Sequence, residues 1–256
     1  MLAVATTVAI ALSTAAVARA DDLANIISKG VVRIGVPIDV PPYGSQDANR
    51  NPIGLDVDLA QAIGEALGVK VELQQITGAN RIPYLLTNKI DIIIASLGMT
   101  PERAKQITYT NPYADSYDAV YGPKSAQVTS AADLGKLKVV LSKGTIQDIE
   151  LSRNPNANIM RTEDDATAAA AYLSGQADLI ATNSLVVQEL MKKNAGVEFD
   201  RKFVVARGPA HMGVRMGEQN LANWLNVFIY TLAIRGDLDK LTQKWLGYPY
   251  EPLPSL

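Results

Sequence analysis

The chain contains no cysteine and a single histidine, His211, in 256 residues. The first absence excludes disulfides and thiolate chemistry. The second leaves any zinc site dependent on carboxylates, an uncommon ligand set. An excess of charge of either sign is also lacking. The 24 Lys and Arg against 26 Asp and Glu give a net charge of -2 and a pI near 5.5, which implies neither nucleic acid nor an anionic membrane as partner. There is no Walker A loop and no G-x-G-x-x-G, so nucleotide binding has no support. His211 stands before Gly213 with no Ser or Cys nucleophile motif near it, and reads as structural. No metal and no cofactor are expected. Beyond the N-terminus, long hydrophobic runs are missing too, so nothing in the mature chain is expected to enter a bilayer.

What is present is ordinary for a globular protein: 48% apolar and 20% charged residues, at a length that allows one large or two modest domains. Residues Leu2 to Val17 form an uncharged apolar stretch, followed by Ala18-Arg19-Ala20 and then Asp21-Asp22. An apolar run ending in an A-x-A site reads as a secretory signal peptide over residues 1–20, although the basic segment that ordinarily precedes such a run is missing. The stretch is shorter than the ~20 apolar residues of a spanning helix. Export to the periplasm is therefore expected.

From Asp22 onward, short apolar strands alternate with helices, the pattern of βαβ units. Strands are expected at 31–36, 69–73, 91–95, 137–141, 178–181, 203–206 and 213–216. Helices are expected at 23–28, 55–67, 81–87, 166–173 and 185–192, and over 221–246 with a break at Gly236. Residues 37–52 read as a loop, and Ser130 to Asp133 as a capping box. One internal similarity links the halves. Leu86-Thr-Asn-Lys-Ile-Asp91-Ile-Ile matches Leu173-Ser-Gly-Gln-Ala-Asp178-Leu-Ile in residue class at each position. Both strands finish on a small polar residue, Ser96 and Asn183. Ligands of open α/β sheets bind beyond the carboxyl ends of strands, so both residues should face a cleft between two lobes.

The densest chemical signal is Ser96-Leu-Gly-Met-Thr-Pro-Glu-Arg103. Thr100 is placed to cap a helix with Pro101 in its first turn, and Gly98 lets a ligand approach backbone N–H groups. Arg103 adds a planar guanidinium. Together these suit a carboxylate, though a capped helix with a surface ion pair would read the same way. Ser142-Lys-Gly-Thr145-Ile146 is a second strand-to-helix turn whose N–H groups and hydroxyl could meet the same anion. The pairs Asp56/Asp58 and Asp164/Asp165 read as charges at helix N-termini.

These residues resemble a known family. The run Ile53-Gly-Leu-Asp-Val-Asp-Leu-Ala60, the stretch Asp91 to Lys105, Asn111-Pro-Tyr113, Ser142 to Thr145, Gly175 to Asp178 and the ending Gly236 to Gly247 are similar to family 3 (polar amino acid) solute-binding proteins of ABC transporters. The resemblance implies a two-lobed type II periplasmic-binding fold, an α/β architecture in which each lobe is a mainly parallel sheet flanked by helices. Lobe 1 would be 21–115 plus 211–256 and lobe 2 116–210, with crossovers near 114–117 and 205–211. It implies a monomer with no enzymatic activity, which hands an amino-acid-like ligand to a transporter permease. Arg103 would hold the ligand carboxylate, helped by Ser96, Gly98 and Thr145 or the N–H of Ile146.

The departures from the family pattern bear on the ligand. Asn183 stands where the family places an acid for the ligand ammonium, and Val40 and Gly78 stand where aromatic residues stack on the ligand. An acid often found at Pro37 is absent, so a cationic amino acid fits poorly unless Asp39 or Asp165 compensates. Asn80-Arg81-Ile-Pro83 is similar to glutamate/aspartate-binding members, whose arginine contacts the side-chain carboxylate. An acidic or polar ligand is therefore expected. Two alternatives share the scaffold: a cyclohexadienyl dehydratase-like lyase, for which Asp165 and Asp39 are the available acids, and a sensory module that docks on a receptor.

Overall fold

The computed structural model describes residues 21–254; the segment 1–20, read above as a signal peptide, lies outside them. Helix α1 (Asp22–Lys29) leads into β1 (Val31–Val36), the small hairpin β2 (Ser45–Gln46) and β3 (Pro52–Ile53), α2 (Leu55–Leu67) and β4 (Lys70–Gln75). Next come α3 (Arg81–Leu86), β5 (Ile92–Leu97), α4 (Pro101–Ala104), β6 (Ile107–Ala114) and β7 (Tyr117–Gly122). The middle of the chain supplies β8 (Lys138–Ser142), α5 (Ile146–Leu151), β9 (Asn158–Thr162), α6 (Asp165–Leu173), β10 (Leu179–Asn183), α7 (Ser184–Lys193) and β11 (Asp200–Arg207). Strand β12 (Ala210–Arg215) and helices α8 (Gln219–Ile234) and α9 (Asp237–Leu246) complete it.

The strands form two five-stranded sheets, in the orders β4-β1-β5-β12-β6 and β11-β7-β10-β8-β9. Each sheet is the base of one lobe. Parallel pairing holds among β4, β1 and β5 in the first and among β10, β8 and β9 in the second. The other half of each sheet is antiparallel, through β12 with β5 and β6, and through β7 with β10 and β11. Strands β6 and β7 had no counterpart in the sequence reading, because their polar and aromatic residues break the apolar run that marks a buried parallel strand. They matter topologically: the chain passes between the sheets from β6 to β7 and returns from β11 to β12. Residues 115–116 and 208–209 make the two passages.

The internal similarity has a physical basis. Asn88 and Gly175 both take left-handed backbone, with φ of 58° and 74°, to stop α3 and α6. Asp91 then accepts the N–H of Arg33 on β1 at 2.9 Å, and Asp178 accepts that of Lys138 on β8 at 2.7 Å. The same turn and the same carboxylate clamp thus start the central strand of each sheet. The expected capping box differs. Ser130 makes no side-chain cap, and the Asp133 carboxylate instead accepts from Thr129 and Ser130 at the head of a 3₁₀ turn.

The first lobe's principal core lies between its sheet and helices α2, α8 and α9, with Ile34, Leu59, Ile92, Met212 and Leu225 fully enclosed. Asp58 fastens α9 across it, accepting from Trp245 and Lys244 at 2.7 Å each. In the second lobe the alanines of α6 pack close on Val140 and Ile180. No helix among the described residues is long and apolar enough to cross a membrane.

Candidate functional site

The carboxyl ends of β5, β8 and β10 converge on one cavity between the lobes. Six of the expected residues line it: Arg81, Ser96, Gly98, Thr145, Ile146 and Asn183. Arg103 and Ser142 lie directly behind that wall, both buried.

Ser96 shows how the first lobe builds its side. Its φ is +40°, a conformation that non-glycine residues seldom adopt and that needs outside support. The support is two acceptors for its N–H, the Asp56 carboxylate at 3.2 Å and the Tyr113 hydroxyl at 3.0 Å. Tyr113 in turn donates to Asp56 at 2.7 Å. Asp56 is fully buried, and desolvation pushes its carboxyl up to about 7. It was read from the sequence as a helix N-terminal charge. It does lie in the first turn of α2, and the structure adds a second role: Asp56 holds the turn at the end of β5.

Helix α4 begins as its sequence signals. The Thr100 hydroxyl caps the N–H of Arg103 at 3.1 Å, with Pro101 in the first turn. Arg103 is 5% exposed, and its guanidinium donates to the carbonyl of Gly98 at 2.7 Å and, across the cleft, to that of Gly144 at 2.9 Å. Arg81 sits at the head of α3, donating to Ala95 at 3.1 Å and to the same Gly144 carbonyl at 3.4 Å. Among the described residues its Nε has no hydrogen-bond partner. Burial and then the nearby charge of Arg103 bring its guanidinium down to about 9.

The second lobe answers with its own turn. The Thr145 hydroxyl donates to the Ser142 carbonyl at 2.7 Å and caps α5. Gly144, at φ 73°, packs so closely on Gly78 that a Cβ on either would meet the other lobe's backbone at 2.8 Å. This accounts for glycine at position 78, where the family resemblance led one to look for an aromatic residue. An aromatic side chain there would hold the lobes apart.

Carboxylates complete the site, and sequence reasoning assembled only part of them. Asp118, at the start of β7, lines the cavity directly opposite Asn183 in the β7–β10 register. Burial raises its carboxyl to about 6. Asp165 also lines the cavity. Burial, and then the charge of Asp39, raise it to about 7. Asp39 reaches across the cleft to accept the N–H of Asp165 at 2.9 Å. No signal local to Tyr117-Asp118 marks Asp118 as a site residue; only the pairing of β7 with β10 does. Asn183 differs from its sequence reading as well. Its side-chain oxygen accepts the N–H of Leu185 at 3.1 Å to cap α7, so it is its amide hydrogens that face Ser116 and Asp118.

His211 is buried on β12 with Nδ1 2.7 Å from the Thr110 carbonyl, outside the cavity wall. Among the described residues no cluster of His, Asp or Glu is arranged to hold a metal.

Comparison with known proteins agrees with this architecture. Residues 32–248 match the bacterial extracellular solute-binding proteins, family 3. The ABC transporter glutamine-binding protein of Bacillus subtilis is 27% identical over 232 residues, 88% of this chain and 85% of that one. A variant of the arginine-binding protein from T. maritima superposes with a TM-score of 0.83 at 29% identity, over 88% of this chain and 99% of the other. An ancestral amino-acid-binding protein, a precursor of cyclohexadienyl dehydratase, gives 0.79 at 32% identity over 88% and 99%. With the family matched across most of its length and the two-sheet cleft in common, this chain belongs to family 3 of the bacterial extracellular solute-binding proteins.

Proposed function

We propose that the protein captures an α-amino acid in the periplasm and delivers it, as a monomer, to the permease of an ABC transporter. One observation carries this reading: guanidiniums from one lobe and carboxylates from the other face each other across a single cleft, the charge pattern complementary to a zwitterion. Arg103, Ser96, Gly98, Thr145 and the N–H of Ile146 would hold the carboxylate, since all lie at the two strand-to-helix turns. That one relative is a glutamine-binding protein and another a variant of an arginine-binding protein supports the amino-acid class without choosing among its members.

The net-negative ligand expected from Arg81 and Asn183 loses its basis once Asp118, Asp165 and Asp39 are counted. Asp165 and Asp118 counter Arg81 within the cleft, and a polar, uncharged or cationic side chain fits better than a second carboxylate. A thermal-shift screen of the twenty L-amino acids, dicarboxylates and opine-like compounds tests this. A ligand at a hundredfold excess over its Kd adds about 2.7 kcal/mol of stability, readily seen as a higher melting temperature. Stabilisation confined to compounds that lack an amino group would defeat the proposal.

A second reading rests on Asp165. A carboxyl held near 7 beside Arg81 is what a general acid for a lyase requires. Turnover of prephenate or arogenate by the purified protein would move it to that class.

A further inference from the structure

We infer that Asp118 is the residue that selects for the ligand's amino group, with Asn183 as the donor that aims it. This rests on the amino-acid reading above and goes further by assigning the amine to one carboxylate. Asp118 and Asn183 are cross-strand partners in the antiparallel β7–β10 pair, so both side chains stand on the same face at the same level of the cleft. Asn183 has committed its oxygen to the N–H of Leu185, and its Nδ2 donates to the Ser116 hydroxyl at 3.0 Å and to Asp118 Oδ1 at 3.4 Å. An amide turned this way presents hydrogens to the cleft, and hydrogens repel an ammonium. Asp118 presents oxygen. Its Oδ2 accepts no hydrogen bond from the described residues, and no lysine or arginine among them lies within ion-pair distance.

The surroundings make this carboxylate demand a cation. Desolvation holds its carboxyl up, and the charges of Arg81 and Arg103 only partly offset that cost. An ammonium supplied by the ligand would neutralise it at short range, in a site where charge-assisted hydrogen bonds are strongest. Asp118 and the turn at Ser96 and Gly98, to whose carbonyl Arg103 donates, line the same cavity. A ligand carboxylate at the turn and an amine at Asp118 therefore fit one molecule.

The test compares each amino acid that binds in the screen with its des-amino counterpart, by calorimetry, on four proteins. These are the wild type, Asp118→Asn, Asn183→Asp, and the double variant that moves the acid from one strand to the other. Asp118→Asn should weaken the amino acid by about 10- to 100-fold and change the des-amino compound by less than about threefold. The double variant should recover most of the lost affinity, because the acid returns to the adjacent cross-strand position. Equal weakening of both compounds would mean a structural role and overturn the inference, as would an Asp118→Asn protein that binds the amino acid like the wild type. Failure of the double variant to recover affinity, with a melting temperature matching that of the single variant, would also count against it. If no α-amino acid binds the wild type in the first place, the amino-acid reading itself falls, and this inference falls with it.

Discussion

The two faces of the cleft differ in charge. The face on the first sheet carries two guanidiniums, Arg81 and Arg103, close enough that Arg103 helps to lower the pKa of Arg81. The face on the second sheet carries Asp118 and Asp165, both raised by burial, and the charge of Asp118 adds to the rise of Asp165. Each face alone holds like charges at short range in a partly desolvated setting, which is unfavourable. Bringing the faces together relieves both. The contacts that join them are few and specific: the Gly144 carbonyl takes donors from both arginines, and Asp39 takes the N–H of Asp165. A ligand with a charge of each sign adds to an attraction that the lobes already have. Closure and recognition thus draw on the same groups.

The largest effect should come from removing the cation that makes the shortest bond across the cleft. Arg103→Ala leaves the Gly144 carbonyl without its 2.9 Å donor and the ligand carboxylate without its fork. A loss of about 2–5 kcal/mol in binding is expected, as for truncation of one member of a buried charged pair. Calorimetry on the best ligand of the screen reads it directly. A loss of less than threefold would mean that Arg81 carries the carboxylate instead, and the roles of the two arginines would have to be exchanged.

The first face was far more legible in the sequence than the second, and the reason is physical. Arg103 belongs to a contiguous signal: a strand end, a glycine, a capping threonine, a proline in the first turn and an arginine one turn in. Every part of it acts on its near neighbours, so local chemistry suffices. Asp118 is 65 positions from Asn183, and only the register of two antiparallel strands joins them. Nothing in Ser116-Tyr-Asp118 announces that register. Asp56 was visible as a residue but not as a function, because a carboxylate in the first turn of α2 has an adequate local explanation. Its true partners, Ser96 and Tyr113, are 40 and 57 positions away. Gly78 was noticed for the aromatic group it lacks. Its reason for being glycine lies on the opposite lobe. Contacts between elements distant in sequence are what single-chain patterns carry least, and a cleft between two lobes consists mostly of such contacts.

A smaller and more selective effect should follow from disturbing the glycine contact. Gly78→Ala would place a methyl group 2.8 Å from the Lys143 carbonyl and 3.1 Å from the Thr145 methyl of the other lobe. Neither neighbour is free to move far, since Thr145 caps α5. The backbone at 78 is compatible with alanine, so each lobe should keep its own stability and only their approach should suffer. We expect about a tenfold loss of affinity, with the melting temperature of the unliganded protein within about 2 °C of wild type. Small-angle scattering of the liganded variant should show a larger radius of gyration than the liganded wild type. A variant that binds and compacts normally would show that the close glycine packing is not a condition of closure.

The smallest effect concerns the acid pair at the edge of the cleft, and its sign can be derived. Asp39 accepts the N–H of Asp165 at the head of α6, and its charge is the second cause, after burial, of the raised Asp165 carboxyl at about 7. Asp39 is itself raised by burial. An acid whose pKa is higher in the closed protein than the ordinary 3.8 binds more protons when closed. Its contribution to closure is fully present at pH below about 4 and is lost as the pH rises through about 7. Ligand affinity should therefore weaken between pH 6 and pH 8 for any ligand whose own charge is constant over that range. Asp39→Asn keeps an oxygen to accept the Asp165 N–H while removing the charge that opposes ionisation of Asp165. The variant should bind about as well as wild type at pH 6 and about threefold better at pH 8, a modest figure because Asp39 and Asp165 are each only partly buried as residues. Calorimetry at the two pH values, in buffers of matched ionic strength, distinguishes this from a general loss of packing, which would weaken binding equally at both. An affinity that rises with pH in the wild type would mean that Asp165 takes up no proton on closure.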